Sequence, residues 1–364
     1  MTTTTTLSDS LVATLDRLAR FESREFPVVS LYLDARPDTR GRDHYQPFVR
    51  KELAARQRTY ELRSPERKSF DRDMEKIQQH LETQVPPSAN GIAIFACAGE
   101  GDLFEPLEFE VAFEENRLSV AGKPQLFPLA RLIDENPRYA LVLADTHSAR
   151  IFVFARGLQI DEKELESRSL PRTSGSGWSQ MQYQRHVDNL QKDHARELVE
   201  RLARLVDEEK VEHILLAGND VVLPLIRHEL PKRLEEKVVD TMHFDKKKPV
   251  TETLADATEL LRERDAKTDA EKVQRLLDVY RAGGLAVSGP VDVRRALEWG
   301  TADELLITAT LDRTGSDEAQ AAADLVTLAR RSGTLVTFIE DPKLLEPVEG
   351  VGAFLRYRLP TPPA

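Results

Sequence analysis

Tyr139-Ala140-Leu141-Val142-Leu143-Ala144-Asp145, the turn Thr146-His147-Ser148, and then Ala149-Arg150-Ile151-Phe152-Val153-Phe154-Ala155 form the stretch on which the fold turns. The first run is apolar and predicts a strand. The second sets Ile151 and Val153 against Phe152 and Phe154, so it predicts a hairpin partner. Gly157 can turn the chain into a third strand. A polar stretch from Glu164 to Gln184 has no usable period, and a long helix follows to about Glu209. Next come a strand over His213–Ala217, the turn Gly218-Asn219-Asp220, a short helix ending near Pro231 and a strand over Val238–Phe244. A hairpin meander followed by helix, strand, helix, strand fits a mixed sheet with helices on its faces.

Working outward, the segment from about residue 265 reads as a small α/β/α sandwich. A helix ends at Gly283-Gly284, as helices commonly do at glycine. Strands at Leu285–Ser288, Glu304–Thr308, Thr334–Ile339 and Ala353–Leu359 alternate with helices at Val291–Trp299 and Ser316–Arg331, and Gly300 and Gly333 each sit just past a helix. On the other side, residues 1–130 mix a helix at Leu11–Arg20, a strand at Val28–Asp34, charged helices across Tyr45–Arg63 and Glu66–Gln84, and a strand at Gly91–Ala98 after Pro86-Pro87. The chain thus reads as α/β throughout, in three domains: 1–130, 131–264 and 265–364. Internal repeats and heptad arrays are not found.

At 364 residues, 40% apolar and 31% charged, the sequence has the composition of a globular protein. One cysteine, Cys97, excludes a disulfide framework and a cysteine-based zinc cage. Cys97 lies in the apolar run from Gly91 and is expected to pack as a small buried hydrophobe. A secretory h-region and a bilayer-length apolar stretch are both lacking in the sequence, which predicts a cytoplasmic address and no membrane partner. Net charge is −11, so any contact with nucleic acid must come from local basic patches. Lys246-Lys247-Lys248 is one short run of that kind, and a solvated loop accounts for it.

The loop before the long helix is the better candidate: Leu170-Pro171-Arg172-Thr173-Ser174-Gly175-Ser176-Gly177-Trp178-Ser179-Gln180-Met181-Gln182-Tyr183-Gln184-Arg185-His186. Loops this long inside a compact domain are usually functional or disordered. Trp178 gains nothing in water, so it packs back on the protein or onto a partner such as a nucleobase. In the following helix Val187, Leu190, His194, Leu198, Leu202 and Leu205 make a core stripe at spacings of three and four. His194 on that stripe reads as a core histidine; His186, beside the loop, is the better functional candidate. Arg185, Asn189, Lys192 and Arg196 make a second, largely basic stripe. From Arg168 to Arg196 there are five positive residues and two negative ones, a local +3 in an acidic chain. Such a loop on such a helix suits entry into a phosphate-rich site, although from the residues alone an ordinary surface loop with a solvated helix face is the favoured explanation.

The run from Gly175 to His186 resembles the catalytic loop of the archaeo-eukaryotic class I release factor and Pelota superfamily, in which a Gly-Gly-Gln motif precedes a basic helix. Residues Gly289-Pro290-Val291-Asp292-Val293-Arg294-Arg295-Ala296-Leu297-Glu298-Trp299-Gly300-Thr301-Ala302-Asp303-Glu304-Leu305-Leu306-Ile307 are similar to a helix–strand signature of that family's last domain, and Gly350–Tyr357 to its closing strand. The resemblance covers roughly residues 135 to 360, and its nearest group is the bacterial release-factor-like proteins, beside Pelota and the Vms-type peptidyl-tRNA hydrolases. It implies a ribonuclease H-like middle domain and a last domain like the kink-turn-binding ribosomal proteins.

The mechanism it implies is hydrolysis of the peptidyl-tRNA ester in the peptidyl-transferase centre, with the ribosome, its large-subunit rRNA and peptidyl-tRNA as partners, room for a translational GTPase, and no cofactor or metal. Gln180 would position water, or the oxyanion through its backbone N–H, an effect on the order of 3 kcal/mol for a well-aimed donor. Gly177 and Ser179 belong to the same catalytic tip, and Arg172, Trp178, Arg185, His186, Lys192 and Arg196 would hold rRNA or tRNA. Two departures stand out. Trp178-Ser179 replace the two glycines before the glutamine, and a positive φ at Ser179 would cost roughly 1 kcal/mol or more. The family's stop-codon-reading motifs are not found in residues 1–130. Rescue of stalled ribosomes without stop-codon decoding is therefore the leading expectation. A non-catalytic hibernation factor in the A site is the alternative. A metal-dependent nuclease using Asp145, Asp220 and Asp240 is a third reading, against which Asp145 precedes a turn and Asp220 suits a helix N-cap.

Overall fold

The computed structural model describes residues 7–37, 44–109, 111–135, 137–145, 148–155, 158–165, 180–209, 211–243, 250–313 and 316–358. Three sheets organise them. The first is built from β1 (Val28–Asp34), β2 (Gly91–Cys97), β3 (Leu103–Phe109) and β4 (Arg117–Ala121), with helices α1 (Leu7–Arg20), α2 (Gln46–Gln57), α3 (Pro65–Thr83) and α4 (Phe127–Glu135). The order is β3-β2-β1-β4, antiparallel throughout. Side chains alternate between faces, as a pleated strand requires. Val29, Leu31, Ile92 and Ile94 meet Val49, Leu53, Phe70 and Ile77 of α2 and α3. Val28, Tyr32, Ala93, Phe95 and Cys97 point the other way, to Leu15 and Leu18 of α1 and Phe127 and Leu129 of α4. Cys97 is a fully buried free thiol.

The hairpin at 139–155 forms as read. Strand β5 (Tyr139–Ala144) pairs antiparallel with β6 (Ala149–Ala155), which pairs antiparallel with β7 (Leu158–Leu165). After α5 (Gln180–Glu208), β8 (His213–Gly218) adds parallel to β5, and after α6 (Val222–Glu229) and α7 (Lys232–Glu235), β9 (Val238–His243) adds parallel to β8. The resulting order is β7-β6-β5-β8-β9. One face packs Val142, Ile151 and Leu216 against Leu198 and Leu202 of α5 and Ile226 of α6. The other packs Leu141, Phe152 and Leu215 against Ala257 and Leu261 of α8 (Val250–Arg281).

The third sheet comprises β10 (Ala286–Ser288), β11 (Ala302–Thr308), β12 (Leu335–Ile339) and β13 (Val351–Leu355), with α9 (Pro290–Glu298), α10 (Ser316–Ser332) and α11 (Pro342–Leu345). The last strand inserts between β10 and β11, antiparallel to both, while β11 and β12 run parallel. Leu276 of α8 and Leu345 of α11 cover one face through Leu306 and Ile339, and α9 and α10 cover the other. This is the sandwich read from the sequence. Gly300 and Gly333 end α9 and α10 with φ of +65° and +67°, where a Cβ would be strained.

The chain divides into two compact units, residues 135–267 with 1–9, and residues 10–134 with 268–364. Within the second, the first and third sheets share one core. Val28, Phe95 and Phe127 belong to the same apolar cluster as Val293, Leu305, Val326 and Phe338. Phe127 and Phe338 meet edge to face with centroids 5.0 Å apart. Around that contact the Phe338 N–H donates to Asp134 at 2.8 Å, Arg330 to Asp16 at 3.1 Å, and Arg117 to the buried Asp312 at 2.5 Å. A single helix, α8, serves both units, since Ala257 and Leu261 pack in the first and Val273 and Leu276 in the second.

Candidate functional site

Helix α5 is far longer than the sheet it covers. Its 29 residues extend about 43 Å at 1.5 Å per residue, whereas a six-residue strand such as β8 spans about 20 Å. The helix leads directly into β8, so it starts its run back along the sheet from the end where β8 begins. About 13 residues back from Glu208, near Ala195, it has used the length of the sheet. Among the α5 residues whose side chains are described, 191–208, the buried ones are His194, Ala195, Leu198, Val199, Leu202, Leu205 and Val206. Gln180, the first helical residue, lies about 22 Å further along the axis from Ala195. It stands on the side of the sheet where Ala144 pairs with Ala149, Ala149 with Leu165, and Ala144 with Gly218. The sequence from 166 to 179 joins Leu165 to that overhanging end.

The expected site residues fall on this helix and on the segment before it. Arg172, Gly177, Trp178 and Ser179 lie outside the described residues, as does Lys246-Lys247-Lys248. Gln180, Arg185 and His186 have helical backbone. Because Gln180 opens the helix, its N–H is among the first four that an α-helix leaves without an internal partner, and it sits at the positive end of the helix dipole. Lys192 is exposed. Arg196 is engaged with α6, its Nε donating to Glu229 at 3.3 Å, and it also lies 3.7 Å from Asp193. His194 is buried on the apolar stripe.

The opposite end of α5 is held by cations from three separate elements. Arg138, which precedes β5, donates from Nη1 to the Glu209 carbonyl at 2.7 Å and to the Glu209 carboxylate at 3.3 Å. Its own carbonyl accepts the N–H of Glu212 at 2.9 Å and of His213 at 3.2 Å. Arg233 of α7 donates to Asp207 at 2.8 Å, and Lys237 to the Val211 carbonyl at 2.7 Å. Positive groups at a helix C-terminus satisfy its last carbonyls and oppose the dipole's negative end. Beside them His213 stacks on Tyr139 with centroids 5.3 Å apart, and burial holds its imidazole below the ordinary histidine value. Sequence reasoning missed this fixture, because Arg138 and Glu209 are 71 residues apart and no period links them.

Two of the three carboxylates of the nuclease reading, Asp145 and Asp240, have structural contacts. Asp145 closes the β5–β6 turn by accepting the Ser148 N–H at 2.7 Å and hydroxyl at 3.0 Å. Asp240 accepts the Thr241 N–H at 2.7 Å and lies 3.7 Å from Arg264. The cap of α6 is Asn219, not Asp220: Asn219 Oδ1 accepts the N–H groups of Val221 and Val222 at 3.1 and 2.9 Å, and its carbonyl that of Leu223. The correction follows from backbone geometry, since a cap's side chain reaches two or three residues ahead. Among the described residues no group of three or more His, Cys, Asp or Glu could hold a metal ion, and no helix is long and apolar enough to cross a membrane.

Residues 124–262, around the middle sheet, match the family described as Bacterial archaeo-eukaryotic release factor family 10, and residues 266–359, around the third sheet, match eRF1 domain 3. The chain belongs to the archaeo-eukaryotic release factor superfamily. Among its relatives in that superfamily, Peptide chain release factor subunit 1 of Pyrococcus abyssi is 25% identical over 317 residues, 82% of this chain and 75% of the relative. Uncharacterized protein Rv2629 of Mycobacterium tuberculosis is 24% identical over 94% of this chain and 96% of its own. Dom34 of S. cerevisiae, described as a translation termination-like factor interacting with Hbs1, aligns with a TM-score of 0.46 at 12% identity, covering 74% of this chain and 81% of that one.

Proposed function

We propose that this superfamily member works on the ribosome as a rescue factor, hydrolysing the ester of peptidyl-tRNA on stalled ribosomes without reading a stop codon. The observation that carries the proposal is the overhang of α5. A helix whose root is packed and clamped and whose far end starts at Gln180 carries that residue well beyond its own sheet, as an approach to a recessed centre requires. The Gln180 N–H, outside the helix's internal bonding, supplies a donor of the kind that stabilises a developing oxyanion. On this reading the tip comprises Gly177, Ser179 and Gln180, and Arg172, Trp178, Arg185, His186 and Lys192 meet rRNA or tRNA. Arg196 contributes through its tie to Glu229 as well as through its charge. The middle sheet's three-strand meander followed by two parallel strands supports the ribonuclease H-like assignment. Cytoplasmic location and delivery by a translational GTPase belong to the same proposal.

The test is release of labelled peptide from stalled ribosome complexes. Wild type should release it, and Gln180→Ala should lose on the order of 10²-fold or more in rate, as removal of an oxyanion donor commonly does. A second reading, occupancy of the A site without hydrolysis, is favoured by one feature: Trp178-Ser179 stand where the family's glycines would give the backbone its close approach. Co-sedimentation with ribosomes but no release by wild type would select it. No association with ribosomes would end both.

A further inference from the structure

We infer that Arg138 is a positioning residue, whose contact with Glu209 sets the direction in which α5 carries Gln180. This rests on the reading of α5 as the arm of the site.

Three observations converge on Arg138. Its side chain holds the last turn of α5 through both the Glu209 carbonyl and the Glu209 carboxylate. Its main chain holds the start of β8 through the N–H groups of Glu212 and His213. It also directly precedes β5, the central strand of the middle sheet. One residue therefore fixes the helix end to two neighbouring strands. The pair is largely shielded, with side-chain exposures of 15% for Arg138 and 11% for Glu209, so its attraction is weakly screened. Of the other two root contacts, Lys237 reaches the Val211 carbonyl beyond the end of the helix, and Arg233–Asp207 has both side chains more than half exposed, where an ion pair holds little.

Lever geometry gives the pair its consequence. The axis from Glu208 to Gln180 is about 42 Å long. A tilt of about 5° at the root moves the far end by nearly 4 Å, and a misplacement of about 1 Å can cost roughly 10²-fold in a reaction that depends on alignment. The tie between Arg196 and Glu229 lies partway along and limits the swing in one direction. The packing of Leu198 and Leu202 on the sheet holds the helix in place along its buried face, so loosening the root acts on its direction within that packing.

The experiment reads the arm's direction without relying on catalysis. In a Cys97→Ala background, spin labels are placed at Gln184 on the arm and at the exposed Val221 just before α6, and the distance distribution is measured by pulsed electron paramagnetic resonance. Wild type should give one narrow distribution. Arg138→Ala should broaden it about twofold or more, and Arg138→Lys, which keeps the charge but loses the planar fork, should restore much of the narrowness. Glu209→Gln, which keeps the carbonyl contact and loses the ion pair, serves as the milder variant should Arg138→Ala fail to fold, and should broaden the distribution less. Unchanged widths in the folded variants overturn the inference. In the release assay the same variants should lower kcat with little change in the ribosome concentration at half-saturation. Wild type that releases no peptide would remove the hydrolytic reading, while the distances would still decide the role of Arg138.

Discussion

Asp73 offers a quantitative test of how the second unit is built. It lies on the buried face of α3 with no exposed surface. One carboxylate oxygen accepts the Ala98 N–H at 2.8 Å, which ties the end of β2 to the helix, and the other has no hydrogen-bond partner among the described residues. Burial pushes the carboxyl up from 3.8 to about 7. The folded state thus keeps the proton longer than the unfolded chain does. Below about pH 4 both states are protonated and the group has no pH-dependent effect. Between about pH 4 and pH 7 the unfolded chain ionises while the folded one stays neutral, so stability falls as pH rises. Above about pH 7 both are ionised and the loss levels off. Roughly three units at about 1.4 kcal/mol each give a ceiling near 4 kcal/mol, and about 2–4 kcal/mol is expected. Asp73→Asn removes the titration and keeps an acceptor for Ala98. Urea unfolding followed by Trp299 fluorescence in a Trp178→Phe background should therefore show the variant gaining about 2–4 kcal/mol on wild type between pH about 4 and pH about 8. A wild-type-to-variant difference that stays constant across that range would refute the reasoning.

Other outcomes follow from particular contacts. Phe338→Ala should cost about 3–5 kcal/mol, and hydrogen exchange should show β1 and β2 losing protection together with β11 and β12, because Phe338 packs on Phe127. Protection lost in the third sheet alone would count against a shared core. Asn219→Ala should cost about 1 kcal/mol by urea unfolding of the middle unit, through loss of the α6 cap, whereas Asp220→Ala should change it by only a few tenths.

The hairpin of the middle sheet was readable because its strands lie next to one another along the chain. The apolar run at Tyr139–Ala144 and the alternating run at Ala149–Ala155 are adjacent and state their hairpin by order alone, whereas the run at His213–Gly218 was legible as a strand but its parallel pairing with β5, past β6 and β7, was not. The elements of the third sheet were readable, helped by the glycines at 300 and 333, but the insertion of β13 between β10 and β11 was not. Strands β3 and β4 and helix α4 were missed. Leu103–Phe109 carries Pro106 and reads Leu-Phe-Glu-Pro-Leu-Glu-Phe, which has no clean alternation. An edge position tolerates that proline. The pairing of the first sheet with the third was also hidden, since a pattern shows that Phe95 and Phe338 want burial but not that they share it. At the candidate site the long helix and its apolar stripe from His194 to Leu205 were legible, but its start was not: the segment from Gln180 to His186, read as loop, is the first part of the helix, because its polar glutamines show no apolar period. The engagement of Arg196 with Glu229 and the fixture at Arg138 were not, because ion pairs between distant segments leave no periodic trace.

The shared core of the second unit bears on how the chain is made. Phe127 is made once about residue 130 has been synthesised, but Phe338, which packs on it, comes some 200 residues later. At about 5–20 residues per second the nascent chain carries an uncovered apolar surface for about 10–40 s. During that interval the first block is a natural client for a holdase, and slowing translation of the second half should lower the yield of soluble protein.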